Sequence, residues 1–133
     1  ISGNDSRVCF SAPLAKLLEG ADRGTVYVRV DYTDKSGRVY HNNYCLDKQK
    51  NMNYPKVDLQ TEVRSIEGGY EVTVSTDKFA RAVCLSVADN ESVYSDNYFD
   101  VQPKSSVQVQ VRTRLSAEAF NASLRLTCLN NEF

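Results

Sequence analysis

Tryptophan is absent from this chain of 133 residues, and histidine and methionine occur once each. The missing tryptophan argues against an antibody-type variable or constant domain, whose core packs that ring on an intersheet disulfide. A lone histidine, His41, leaves little material for a catalytic triad or a zinc site. Charge of one sign is lacking too. Lysine and arginine number 16 against 17 aspartates and glutamates, for a net charge of −1, and no basic block appears. Neither nucleic acid nor an anionic membrane surface finds a docking stripe in such a pattern. No apolar run approaches the ~20 residues of a membrane helix. The opening, Ile1-Ser2-Gly3-Asn4-Asp5-Ser6, is polar and does not read as a signal peptide. A segment cut from inside a longer chain would also lack one.

Four cysteines are present, Cys9, Cys45, Cys84 and Cys128, with no C-x-x-C pair. A metal site is therefore not expected. Each sits in a strand-like run and reads as a small buried hydrophobe. On spacing alone, disulfides Cys9–Cys45 and Cys84–Cys128 stay open.

What the chain does have is alternation. Val26, Val28 and Val30 share one face of a run, with Tyr27, Arg29 and Asp31 on the other. The same period recurs at Tyr70, Val72 and Val74, at Val83, Leu85 and Val87, at Val107, Val109 and Val111, and at Leu124, Leu126 and Cys128. Period two with one apolar face marks a half-buried antiparallel strand. Turn residues separate the runs. Asp34-Lys35-Ser36-Gly37 joins strands predicted at 25–33 and 38–46, Glu67-Gly68-Gly69 joins 57–66 to 70–76, and Asp89-Asn90-Glu91 follows 80–88. One helical patch is predicted, Pro13 to Gly20, with Leu14, Leu17 and Leu18 on one side.

Many short strands at this spacing predict an all-β antiparallel sandwich. The polar run Lys48 to Pro55 reads as a linker. It divides the chain into 1–54 and 55–133. Residues 57–133 hold six or seven predicted strands, enough for a complete small sandwich. Residues 6–47 hold three predicted strands and one helix, too few to close a two-layer core.

Two segments carry a resemblance. Phe79-Ala80-Arg81-Ala82-Val83-Cys84-Leu85-Ser86-Val87 and Ser95-Asp96-Asn97-Tyr98-Phe99-Asp100-Val101 are together similar to the C-terminal immunoglobulin-like domain of family 2 glycoside hydrolases. The β-mannosidase branch fits better than the β-galactosidase branch. Pro55-Lys56-Val57-Asp58-Leu59 is similar to the start of that domain. Ser6 to Leu46 is similar to the second half of the immunoglobulin-like domain before it. Val101-Gln102-Pro103-Lys104 departs from the family's apolar-Pro-Gly-Glu turn. The resemblance implies an immunoglobulin-like antiparallel β-sandwich preceded by a partial, three-stranded β-sandwich segment. It implies a non-catalytic accessory region whose partners are the catalytic barrel and other domains of a parent enzyme. A homodimer through residues 6–47 is a further expected contact. A bacterial source would imply a periplasmic or secreted place, an animal source a lysosomal one.

Candidate chemistry is sparse. Retaining glycosidases set two carboxylates about 5 Å apart across the scissile bond. Asn90-Glu91 and Asn131-Glu132 are the only Asn-Glu pairs, and a turn and a tail do not resemble a barrel strand. No catalytic, cofactor-binding or metal residue is expected. Asp89, Asn90, Glu91, Asp96, Asn97 and Asp100 form an acidic cluster that lacks the order of a calcium loop and reads as turn chemistry. Tyr94, Tyr98 and Phe99 are either a platform for sugar rings or core and interface aromatics, with Phe99 expected inside and Tyr98 on the opposite face. A carbohydrate-binding module and an adhesion-type immunoglobulin-like domain are the other readings of the same sandwich. Asn4-Asp5-Ser6, Asn90-Glu91-Ser92 and Asn121-Ala122-Ser123 are glycosylation sequons, relevant only in a eukaryotic secretory pathway.

Overall fold

The computed structural model describes residues 6–132. The chain forms two compact units that divide between Asn53 and Tyr54.

The first unit holds helix α1 (Leu14–Leu18) and a hairpin of β1 (Tyr27–Thr33) and β2 (Val39–Cys45). Asp34 fixes the hairpin turn: its carboxylate accepts from the Ser36 and Arg38 N–H groups at 2.8 and 3.0 Å. Gly37, at φ 85, supplies the left-handed position. Val28, Val30 and Tyr32 pair with Tyr44, Asn42 and Tyr40, which gathers three tyrosines and two valines on one face. Val30, Tyr32, Tyr40 and Tyr44 on that face are exposed.

One strand-level expectation is corrected here. Three strands were expected within 6–47, and the sheet contains two. Ser6 to Pro13 carries no strand, and Val8 and Phe10 are 82% and 74% exposed. A strand needs a neighbour for its N–H and C=O groups, and one repeat of alternation ahead of Pro13 is too short to hold one. The run read as a linker is also structured up to Asn53. Gln49–Asn51 is a 3-10 turn, Asn53 N–H donates to the Gly24 carbonyl at 2.8 Å, and Asn51 donates to Asp47 at 3.0 Å. Gly24 permits this approach, since a Cβ there would stand 2.6 Å from the Asn51 carbonyl oxygen.

The second unit is an antiparallel sandwich, as the alternation predicts. Its strands are β3 (Gln60–Ile66), β4 (Gly69–Thr76), β5 (Ala80–Ser86), β6 (Val93–Tyr94), β7 (Phe99–Val101), β8 (Ser105–Arg112) and β9 (Arg125–Thr127). One sheet has the order β3-β4-β8-β6, the other β7-β5-β9. Between them Val72, Val74, Val83, Leu85, Val101, Val109 and Val111 are fully buried. Each side chain gains about 1.5–3 kcal/mol from leaving water. Val87, expected beside Val83 and Leu85, is only half-buried because β5 has ended. A bulge interrupts β5 between Ala80 and Val83, with Ala82 at φ 51, so both flanking residues turn inward although they are three apart.

A second helix, α2 (Ala117–Ser123), went unpredicted. Ser116 caps it, its hydroxyl accepting from Ala119 N–H at 3.2 Å. Phe120 points into the core and stacks on Tyr70 at 4.1 Å between ring centroids. A helix with one large apolar residue shows no 3.6-residue period, so alternation could not find it.

Candidate functional site

The acidic cluster runs from the turn after β5 into β7, and the structure assigns most of its side chains a partner. Asp89 accepts from the N–H groups of Glu91 and Ser92 at 3.1 and 2.7 Å and from the Thr113 hydroxyl at 3.0 Å. The Ser92 hydroxyl beside it lies outside good hydrogen-bond geometry yet adds to the same stabilisation. These donors, Ser92 foremost, hold the Asp89 carboxyl below the usual aspartate value. A general acid needs the opposite shift. Asp96 accepts from Asn97 N–H at 2.8 Å. Asn97 Oδ1 accepts from Leu85 N–H at 2.8 Å while its Nδ2 donates to the Leu85 carbonyl at 2.9 Å. Asp100 pairs with Arg81 and accepts from Ala82 N–H at 3.0 Å, which closes the β5 bulge. Asn90 and Glu91 are exposed on the turn. These groups face different backbone targets instead of a common centre. Among the described residues, no group of three or more His, Cys, Asp or Glu is placed to hold a metal ion.

The aromatics separate. Phe99 and Tyr94 are half-buried against the core. Burial pushes the Tyr94 phenol above its ordinary value. Tyr98 is 71% exposed on the opposite side of the segment, with its backbone at φ 60. The Cys84 thiol beside its hydroxyl pushes the phenol above its ordinary value.

The cysteines correct one expectation. Only Cys128 is buried. Cys45 and Cys84 are half-buried and Cys9 is exposed. All four are free thiols. Cys84 lies opposite Thr127 in the β5–β9 ladder, so Cys128, one residue on, takes the other face of the sheet. That register denies Cys84–Cys128 the geometry of a disulfide. Burial pushes the Cys128 thiol up. His41 lies opposite Asp31 on the exposed hairpin. Of the sequons, Asn90 is exposed on a turn and Asn121 is exposed on α2, where the Ser123 hydroxyl donates to the Ala119 carbonyl at 2.7 Å. Asn4 lies outside the described residues.

Two structural asparagines escaped the sequence reading. Asn130 is buried. It donates to the carbonyls of Pro55 and Phe79, both at 2.8 Å, and accepts from Arg81 N–H at 2.8 Å. Asn131 brackets Val57, accepting from its N–H at 3.2 Å and donating to its carbonyl at 3.0 Å. Together they tie the tail to the start of the sandwich. The one available signal was a polar pair directly after an apolar strand. A surface depression of about 620 Å³ at one end of the larger sheet has Asp58, Gln60, Asp77 and Lys104 on its walls. A smaller one, about 320 Å³, carries Asp89, Glu91, Arg112 and Arg114.

A family model described as an Ig-fold domain, Ig_mannosidase, matches residues 53–132. No curated protein matches the chain.

Proposed function

This chain belongs to the mannosidase-type Ig-fold family, and from that premise we propose that it is the non-catalytic C-terminal region of a retaining family 2 glycoside hydrolase. The parent enzyme acts on terminal β-linked sugars and is β-mannosidase-like. The region buttresses the catalytic barrel and shapes one wall of the substrate cleft. The carrying observation is the match of residues 53–132 to the family, joined by the use of the segment's polar side chains as scaffold. Asn97 and Asp100 complete backbone pairing at Leu85 and Ala82, and Asp89 organises a turn.

Residues 6–47 are the second half of the preceding immunoglobulin-like sandwich. Their hairpin exposes Val30, Tyr32, Tyr40 and Tyr44 on one face. Such area in water is unfavourable by about 25 cal/mol per Å². In the parent, the other half of that sandwich covers it. In the isolated chain, a second copy does, since a two-fold contact closes two identical faces at once.

The length of the native polypeptide tests the reading. About 800 residues or more, several domains by size, supports it. A native product no longer than this chain overturns it.

A further inference from the structure

We propose that the free edge of β3 is a homotypic contact, on which β3 of a second copy of this chain pairs antiparallel about a two-fold axis through Val63. β3 closes the larger sheet on one side. The other edge strands of the sandwich, β6, β7 and β9, run two or three residues each, which keeps their edges short. β3 runs seven, Gln60–Ile66, and no bulge breaks its register with β4. It carries no proline and no lysine, the residues that commonly close such an edge to strand addition. Its two-residue turn makes Ile66 and Gly69 a hydrogen-bonded pair, so Arg64, Glu62 and Gln60 bond β4 in turn. The N–H and C=O groups of Thr61, Val63 and Ser65 therefore point outward, and Thr61 and Ser65 are exposed.

The sequence of the strand selects the occupant. About an axis at Val63, Thr61 lies opposite the partner's Ser65, and Val63 lies opposite its own copy. Every outward N–H and C=O of the strand then falls at a hydrogen-bonded position. Glu62 and Arg64 take the intervening positions, where side chains across an antiparallel pair stand closer. There Glu62 faces the partner's Arg64, and Arg64 faces the partner's Glu62, so both cross-strand pairs are of opposite charge. The neighbouring two-fold registers set Glu62 against Gln60 or Arg64 against Ile66 and lose these pairs. Glu62 is exposed and enters none of the ion pairs among the described residues. Arg64 meets Glu71 at 2.7 Å, yet its side chain is 73% exposed and a guanidinium carries further N–H donors. It can hold Glu71 and the partner's Glu62 together. Val63, half-buried against the core, meets its own copy and extends the apolar layer across the contact. Two strands bury too little area for a permanent dimer, so the contact is a weak one.

Amide hydrogen exchange of the full chain, read by NMR at rising concentration up to about 1 mM, tests the proposal. Protection should grow about threefold or more at Thr61, Val63 and Ser65, while Glu62 and Arg64, already bonded to β4, change little. Glu62→Arg and Arg64→Glu each set like charges across the contact and should each abolish that growth. An equimolar mixture of the two variants restores opposite charges and should recover it. Thr61→Pro removes an outward N–H and keeps the bonds to β4, so it should hold the thermal midpoint and reduce the growth. Exchange at these amides that is independent of concentration would overturn the contact. So would growth that survives both charge changes, or a mixture no better than its components. Tyr44→Ser opens the hairpin face and should leave the β3 protection in place. Its loss in that variant would assign the protection to the hairpin contact and overturn the edge pairing.

Discussion

Asn97 stands in for a missing strand neighbour of Leu85. Its side-chain amide accepts from the Leu85 N–H at 2.8 Å and donates to the Leu85 carbonyl at 2.9 Å. β7 pairs with β5 only from Phe99 to Val101, so the ladder stops short of Leu85 on that edge. Asn97→Ala leaves both backbone groups without this partner and should cost about 2–6 kcal/mol, at about 1–3 kcal/mol for each orphaned group. Urea unfolding followed by circular dichroism checks this. A midpoint unchanged from the parent chain would show that water replaces the amide freely.

The core makes a graded prediction. Val83→Ala and Leu85→Ala remove fully buried side chains and should cost about 2–4 kcal/mol each, through lost burial and the cavity left behind. Val87→Ala should cost clearly less, because Val87 is half-buried. Equal losses at all three positions in chemical denaturation would contradict the register.

Acid should weaken the turn that Asp89 organises. The folded state holds its carboxyl below the ordinary value of 3.8. A depressed folded value stabilises the protein above the unfolded pKa, and that stability is lost as pH falls through the folded pKa. The loss therefore begins below about pH 4 and continues downward. Asp89→Asn should flatten the pH dependence of the thermal midpoint in this window. An unchanged slope would mean that the turn hydrogen bonds are absent in solution.

Alternation along the chain made the sandwich legible, since the inward residues of β4 and β8 repeat with period two over whole strands and those of β5 do so from Val83 to Leu85. The bulge at Ala82 was not legible. It depends on Asp100, eighteen residues away, reaching the Ala82 N–H. Helix α2 was hidden because its burial rests on Phe120 alone and its start on a single capping serine. Asn97, Asn130 and Asn131 were visible as turn or tail residues, but their backbone targets are set by tertiary contacts that no local pattern encodes. Tyr98 was placed on the correct side of its segment. Its left-handed backbone needed coordinates.

The hairpin of residues 27–45 should make the isolated chain associate. Light scattering over a concentration series should show a dimer, with a tyrosine-to-serine change at Tyr32 or Tyr44 shifting the balance toward monomer. A strict monomer with residues 6–47 resistant to protease would contradict association through this face.

The claim that this region carries no chemistry is tested most directly by assaying the purified chain on 4-nitrophenyl β-mannoside and β-galactoside. The expected release of 4-nitrophenol equals the buffer control at every protein concentration. Asp89 is held ionised in its turn, and Asp100 is tied to Arg81 and Ala82. Neither is arranged as one of a facing carboxylate pair. Turnover that scales with the chain, and that disappears when one of its own carboxylates is replaced by the amide, would contradict the account.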